Sequence, residues 1–150
     1  MFVDFEFKRV PSVRVACLLR VGRWKEDNLR TEFNQLVKWA KKNKTRTGNW
    51  FFAERGENRW EACLEIHGRA KGEGRIRIAT LPAATVARVV FDPEQVSPRV
   101  IYHGLTDWLR WRRKEGEIKS VSSSREVYAG NPWTDRKAWA HAEVQFLVRR

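Results

Sequence analysis

Val10-Pro11-Ser12-Val13-Arg14-Val15-Ala16 near the start of the chain is answered by Leu81-Pro82-Ala83-Ala84-Thr85-Val86-Ala87 near its middle. Pro11 aligns with Pro82, and Ala16 with Ala87. Self-similarity at a fixed distance marks an architecture built by repeating one structural unit. Each segment leads into a run of β-branched and apolar residues, Val13–Val21 and residues 85–91, that reads as a strand. Beyond each strand apolar residues recur at helical spacing: Leu29, Phe33, Leu36, Val37 and Ala40, then Ile101, Leu105, Trp108 and Leu109. Leu36-x-x-Trp39 in the first helix is echoed by Leu105-x-x-Trp108 in the second. Asp27 and Ser97-Pro98 are start signals, and Gly48 and Gly116 are stop signals.

A strand pair follows each helix, residues 49–54 with Arg59–His67 and residues 125–130 with 138–148. Residues 3–8 and 75–79 open the two halves. Each half therefore reads β-β-α-β-β, and residues 68–74, rich in glycine, link them. The expectation is one α+β domain over 1–150, with half one at 1–70 and half two at 71–150. A half of this size is marginal alone, because too little of its surface is buried. Two halves can join into an eight-stranded curved antiparallel sheet with two helices on one face. A central groove between the halves is then the natural ligand site.

The composition narrows the function. Eight Trp in 150 residues is an unusual number, and it fits an aromatic pocket as well as a core. Lys and Arg number 30 against 18 Asp and Glu, a formal charge of +12. Nucleic acid is a less favoured partner despite that charge, because the cations are spread along the chain. The clusters Lys41-Lys42-Asn43-Lys44 and Arg110-Trp111-Arg112-Arg113-Lys114 read as last turns of helices, where cations favour the dipole. No apolar stretch reaches the roughly 18 residues of a membrane span, and no signal peptide opens the chain. A cytoplasmic protein is the default reading. Cys17 and Cys63 lie in apolar strand-like runs and read as small hydrophobes. They show no metal spacing, and His67, His103 and His141 are scattered. No metal and no cofactor is expected. No Ser-His-Asp or Cys-His signature supports covalent catalysis.

Alternation along the strands sorts the candidate site. Trp50, Phe52 and Glu54 share one face, and Glu126 and Tyr128 share another. With the smaller Phe51, Ala53, Val127 and Ala129 packed under the helices, the larger residues would face the groove. The repeat sets Trp50 against Glu126 and Phe52 against Tyr128. Tyr102 on the second helix, with Trp133 and Trp139 around the following turn, completes the ligand-binding set. A carboxylate among aromatic rings is costly unless paired or protonated. Glu126 would therefore neutralise a cationic ligand or act as an acid–base catalyst.

The succession Val-Pro-x-x-x-x-Ala, Leu-x-x-Trp, Leu-Pro-Ala-x-x-x-Ala, Leu-x-x-Trp and Glu-Val-Tyr-x-x-x-Pro, closed by an apolar strand, resembles the gyrase-inhibitor-like (GyrI-like) small-molecule-binding domains. These include effector-binding domains of MerR-type and AraC-type transcription activators. The resemblance covers essentially residues 1–150. It implies a duplicated fold with a central cavity that binds lipophilic, often cationic, aromatic compounds. It also implies that Glu126 is the buried acid of that cavity, with Tyr128 beside it. Some members resembling this sequence hydrolyse strained cyclopropane-containing compounds with a pocket Glu, so an alternative is a hydrolase with Glu126 and Tyr128 as catalytic residues. Other members protect gyrase by direct contact. No DNA-binding helices precede the motifs here, so a stand-alone binder is expected. The charge of +12 keeps neutral and anionic lipophiles in view, and leaves protein or nucleic-acid binding through the basic surface as a further alternative.

Overall fold

The computed structural model describes residues 3–23 and 25–150. In chain order the elements begin with β1 (Glu6–Val10), β2 (Val13–Val21), α1 (Glu26–Lys42), β3 (Arg46–Glu54) and β4 (Arg59–His67). They continue with β5 (Arg77–Leu81), β6 (Ala84–Phe91), α2 (Pro98–Lys114), β7 (Ser120–Tyr128), α3 (Arg136–Ala140) and β8 (Ala142–Arg149). The α+β architecture with eight antiparallel strands is the one read from the sequence.

The strands fall into two compact units. One is Ser12–Pro82, and the other joins the N-terminal strand, up to Pro11, to Ala83–Arg150. In the 12–82 unit the order is β3-β4-β2-β5, and in the 83–150 unit it is β1-β6-β8-β7. The units differ from the contiguous halves 1–70 and 71–150, because the opening strands are exchanged. β1 pairs with β6, and β5 pairs with β2. The prolines explain why. A residue before proline is driven to extended backbone, so Val10 and Leu81 carry the chain onward instead of folding it back.

In the 12–82 unit, register puts Ala16 with Leu64 and Leu18 with Ala62, and Trp50 with Leu64 and Phe52 with Ala62. Directly opposed residues share a face. That face meets α1, whose Phe33 stacks on Trp50 at 4.6 Å and 18°. Leu36, Trp39 and Ala40 of the same helix are buried. In the 83–150 unit, Ala87, Val89, Phe91, Ala142 and Val144 pack with Ile101, Leu105 and Leu109 of α2. Both long helices are amphipathic, α1 burying one stripe against β2 and β4 and α2 against β6 and β8, the usual source of helix stability in a small domain.

Two local expectations are corrected. Gly48 does not end α1; the helix stops at Asn43, and Lys44 takes the left-handed conformation (φ 51°). Gly48 lies within β3 beside a register shift, where a Cβ would stand 2.7 Å from the Glu65 carboxyl carbon. Gly116 ends α2 as expected, at φ 80°. Residues 138–141 do not begin the last strand. Asp135 accepts a hydrogen bond from the Lys137 backbone N–H at 2.9 Å and caps α3, so β8 starts at Ala142. An N-terminal Asp with a free side-chain oxygen satisfies an otherwise orphaned donor, and this outweighs the apolar alternation read there.

Candidate functional site

The site is built on the α2-covered face of the 83–150 unit. Glu126 lies opposite Val144, and Val127 opposite Glu143. Val144 belongs to the core beneath α2, so Glu126 shares the helix-covered face and Val127 the other. This reverses the expectation that Val127 and the small residues would lie under the helix. The same reversal holds in the other unit, where Trp50 stacks against α1 and Phe51 shares the opposite face with Cys63. Both Trp50 and Phe51 are buried. The strand is therefore covered on both faces here, and alternation of size could not tell which face the helix takes.

Around Glu126 the aromatic residues converge. The Tyr128 hydroxyl donates to Glu126 Oε1 at 2.8 Å. The Tyr128 ring lies nearly parallel to Trp139 of α3, at 6.3 Å and 9°. Trp139 in turn donates from Nε1 to Glu94 Oε1 at 2.9 Å. Tyr102 of α2 meets Phe146 of β8 edge-on at 6.1 Å and is close enough to act electrostatically on Tyr128. Burial, reinforced by the charge of Glu126 and the hydrogen bond to it, pushes the Tyr128 phenol well above its ordinary range. The hydroxyl thus stays protonated and remains a donor. The result is a half-buried carboxylate bordered by rings, with a second carboxylate at one edge.

Of the sequence-predicted residues, Tyr102, Glu126, Tyr128 and Trp139 come together here. Trp133 stands on the same β7–α3 turn, its backbone N–H bonded to Asn131 Oδ1 at 2.9 Å. Trp50, Phe52 and Glu54 belong to the 12–82 unit. Trp50 is part of the core beneath α1. Phe52 meets Trp60 edge-on at 5.8 Å. Phe52 and Glu54 line an open depression of about 250 Å³ with Arg23, Asn58, Arg59 and Trp60. Glu94 and Phe146 were missed by sequence reasoning. Glu94 follows Asp92-Pro93 in a turn, and nothing in that pattern signals a ligand site.

Other candidates resolve differently. Arg125 precedes Glu126 on β7. It is buried and donates to Gln145 Oε1 at 2.7 Å. Trp111 is 53% exposed, but the Arg112 guanidinium covers its ring at 4.7 Å and pairs with Glu117 at 2.8 Å. Among the described residues, one group of three has metal-ligand chemistry: Cys17, Glu61 and Cys63.

No family model matches the chain, and no curated protein matches it. Solved structures do. The crystal structure of the EcmrR C-terminal domain superposes with a TM-score of 0.76 at 19% identity, over 100% of this chain and 99% of that one. The chain has the EcmrR C-terminal fold. In the cryo-EM structure of the EcmrR–DNA complex the same fold spans 58% of a longer chain, matched over 99% of this one at a TM-score of 0.76 and 19% identity. A hydrolase encoded by lin2189 from Listeria innocua matches at 0.66 and 10% identity, over 97% of this chain and 91% of its own. SAV2435 bound to tetraphenylphosphonium matches at 0.56 and 7% identity, over 97% and 94%. The effector-domain fold implied by the sequence motifs is therefore present, and no helix among the described residues is long and apolar enough to cross a membrane.

Proposed function

We propose that this chain is a small-molecule-binding domain whose Glu126 site takes a lipophilic aromatic cation. The carrying observation is the Glu126 carboxylate, fixed by the Tyr128 hydroxyl at 2.8 Å among the rings of Tyr102, Tyr128 and Trp139. Aromatic faces attract cations, and a carboxylate held away from bulk water strengthens that attraction. Glu94, on Trp139, adds a second negative charge to the same edge. The basic exterior acts weakly on a ligand already in the site, since salt screens surface charge beyond about 8–10 Å. The shared fold with SAV2435, solved with tetraphenylphosphonium, supports the same ligand class.

The test is Trp fluorescence titrated with tetraphenylphosphonium, a neutral aromatic of similar size and an aromatic anion. We expect saturable quenching by the cation, with Kd rising about tenfold in Glu126→Gln, equivalent to about 1.4 kcal/mol. Equal affinity of the wild type and Glu126→Gln for the cation would refute the charge-pairing role. A second reading is hydrolysis at the same site, with Glu126 as general acid or base and Tyr128 as hydrogen-bond donor. The direct Tyr128–Glu126 hydrogen bond favours it, since an acid–base residue must be held in place. Product formation from a strained lipophile, abolished in Glu126→Gln, would establish turnover. Intact substrate after prolonged incubation would remove this reading.

A further inference from the structure

The face of the 12–82 strands turned away from α1 holds a buried group that the aromatic site does not use. Cys17 on β2 and Cys63 on β4 are directly opposed across the strand pair. Glu61, two residues before Cys63 on β4, projects from the same face. Both Sγ atoms and a Glu61 carboxylate oxygen lie within 4.8 Å of one another. Cys17 is 2% exposed, Cys63 0% and Glu61 7%. Glu61 Oε1 accepts a hydrogen bond from Arg55 Nε at 2.6 Å, whereas Oε2 has only a long ion pair to Arg77 at 3.8 Å.

We propose that Cys17 Sγ, Cys63 Sγ and the Glu61 carboxylate form a binding site for a zinc-class divalent cation, with a water molecule or another small donor as fourth ligand. The dimensions suit it. Zinc–sulfur bonds of about 2.3 Å and zinc–oxygen bonds of about 2.0–2.2 Å set neighbouring ligand atoms roughly 3.5–3.8 Å apart in a tetrahedron. The three donor atoms, all within 4.8 Å of one another, would draw in by up to about 1.3 Å to reach that spacing. Two thiolates with one carboxylate select a zinc-class ion over magnesium or calcium, which take oxygen donors. The bound group carries one net negative charge, and Arg55 stands against it. A ligating carboxylate held by its own hydrogen-bond partner is the usual outer-shell arrangement. Binding is a proton exchange: each thiol gives up one proton and its sulfur donates an electron pair, so two protons leave for each cation bound. Affinity must therefore rise with pH.

The inference is independent of the Glu126 site. Its test uses reduced full-length chain, loaded with Co2+ during refolding because the ligands are enclosed. A sulfur-to-cobalt charge-transfer band is expected at one equivalent and is displaced by Zn2+. It should disappear in Cys63→Ser. Glu61→Gln keeps both thiols and the shape of the side chain, and should weaken Zn2+ binding by more than the roughly 10–100-fold that loss of even an outer-shell partner costs, with circular dichroism unchanged. Absence of the band in folded, reduced protein would overturn the proposal, as would equal affinity in Glu61→Gln. A purified chain lacking both titratable thiols and lighter by two hydrogens would instead assign the pair to a disulfide, and would overturn it too.

Discussion

The two units set different side chains at matched positions. In the 12–82 unit, the strand after the helix places Trp50 under α1, stacked on Phe33. In the 83–150 unit, the matched position under α2 is Glu126, hydrogen-bonded to Tyr128. Phe52 is likewise matched by Tyr128. One unit closes its helix–strand interface with an aromatic core. The other puts a carboxylate and a phenol in the same place. A duplicated framework permits this because the helix–strand interface of one copy can carry packing while the matched interface of the other carries polar side chains. The 12–82 unit does bury a carboxylate of its own, Glu32 on α1, but two arginines hold it, Arg20 at 3.4 Å and Arg75 at 3.5 Å.

The contrast breaks first at Trp50. Trp50→Ala should cost about 3–5 kcal/mol, as removal of a buried aromatic side chain does, read as a fall in the urea midpoint. Glu126→Gln should cost only about 1 kcal/mol, the difference between a charged and a neutral acceptor for the Tyr128 hydroxyl, while weakening cation binding. A small loss at Trp50 would show that the 12–82 interface is not solid core, and the contrast would fail.

Tyr128→Phe comes next. It removes a hydrogen bond to a charged group, worth about 1.5–3 kcal/mol at pH 7. The phenol of Tyr128 is raised above its ordinary value of 10.0. Its contribution is therefore complete below pH 10 and is lost as pH rises from there through the raised folded value. The stability gap between wild type and Tyr128→Phe should narrow above pH 10, measured by urea unfolding at pH 8 and pH 11. A gap that is constant with pH would show that the Tyr128 phenol is not held buried and protonated beside Glu126.

Asp135→Ala should have the smallest effect, about 1 kcal/mol, from loss of the α3 cap. Because α3 carries Trp139 against Tyr128, the substitution should also loosen ligand binding. Unchanged quenching by tetraphenylphosphonium in Asp135→Ala would show that Trp139 is not part of the site.

Much of the fold was legible. The Pro11 and Pro82 segments, the β-branched runs behind them and the two Leu-x-x-Trp helices gave the element order, and β2 and β4 match the sequence reading to the residue. Less of the site was legible. Glu126 and Tyr128 were named from alternation and the family resemblance, Tyr102 and Trp139 from their places on the second helix and beside the turn, but the helix-covered face was assigned the wrong way round. Period-2 alternation says which residues share a face and not which face meets the helix. Where Trp50 and Phe51 are both buried, the polarity contrast that would decide the question is missing.

The sequence by itself determined the local and repeating features: strand and helix periods, the extended residues before the two prolines, and the correspondence of positions between the two repeats. These depend on near neighbours along the chain. Tertiary structure alone decided the exchange of the opening strands, the setting of Glu94 against Trp139, and the meeting of Cys17 with Cys63 and Glu61. Those groups are distant in sequence, and only the register of antiparallel strands and the packing of helices bring them within bonding distance.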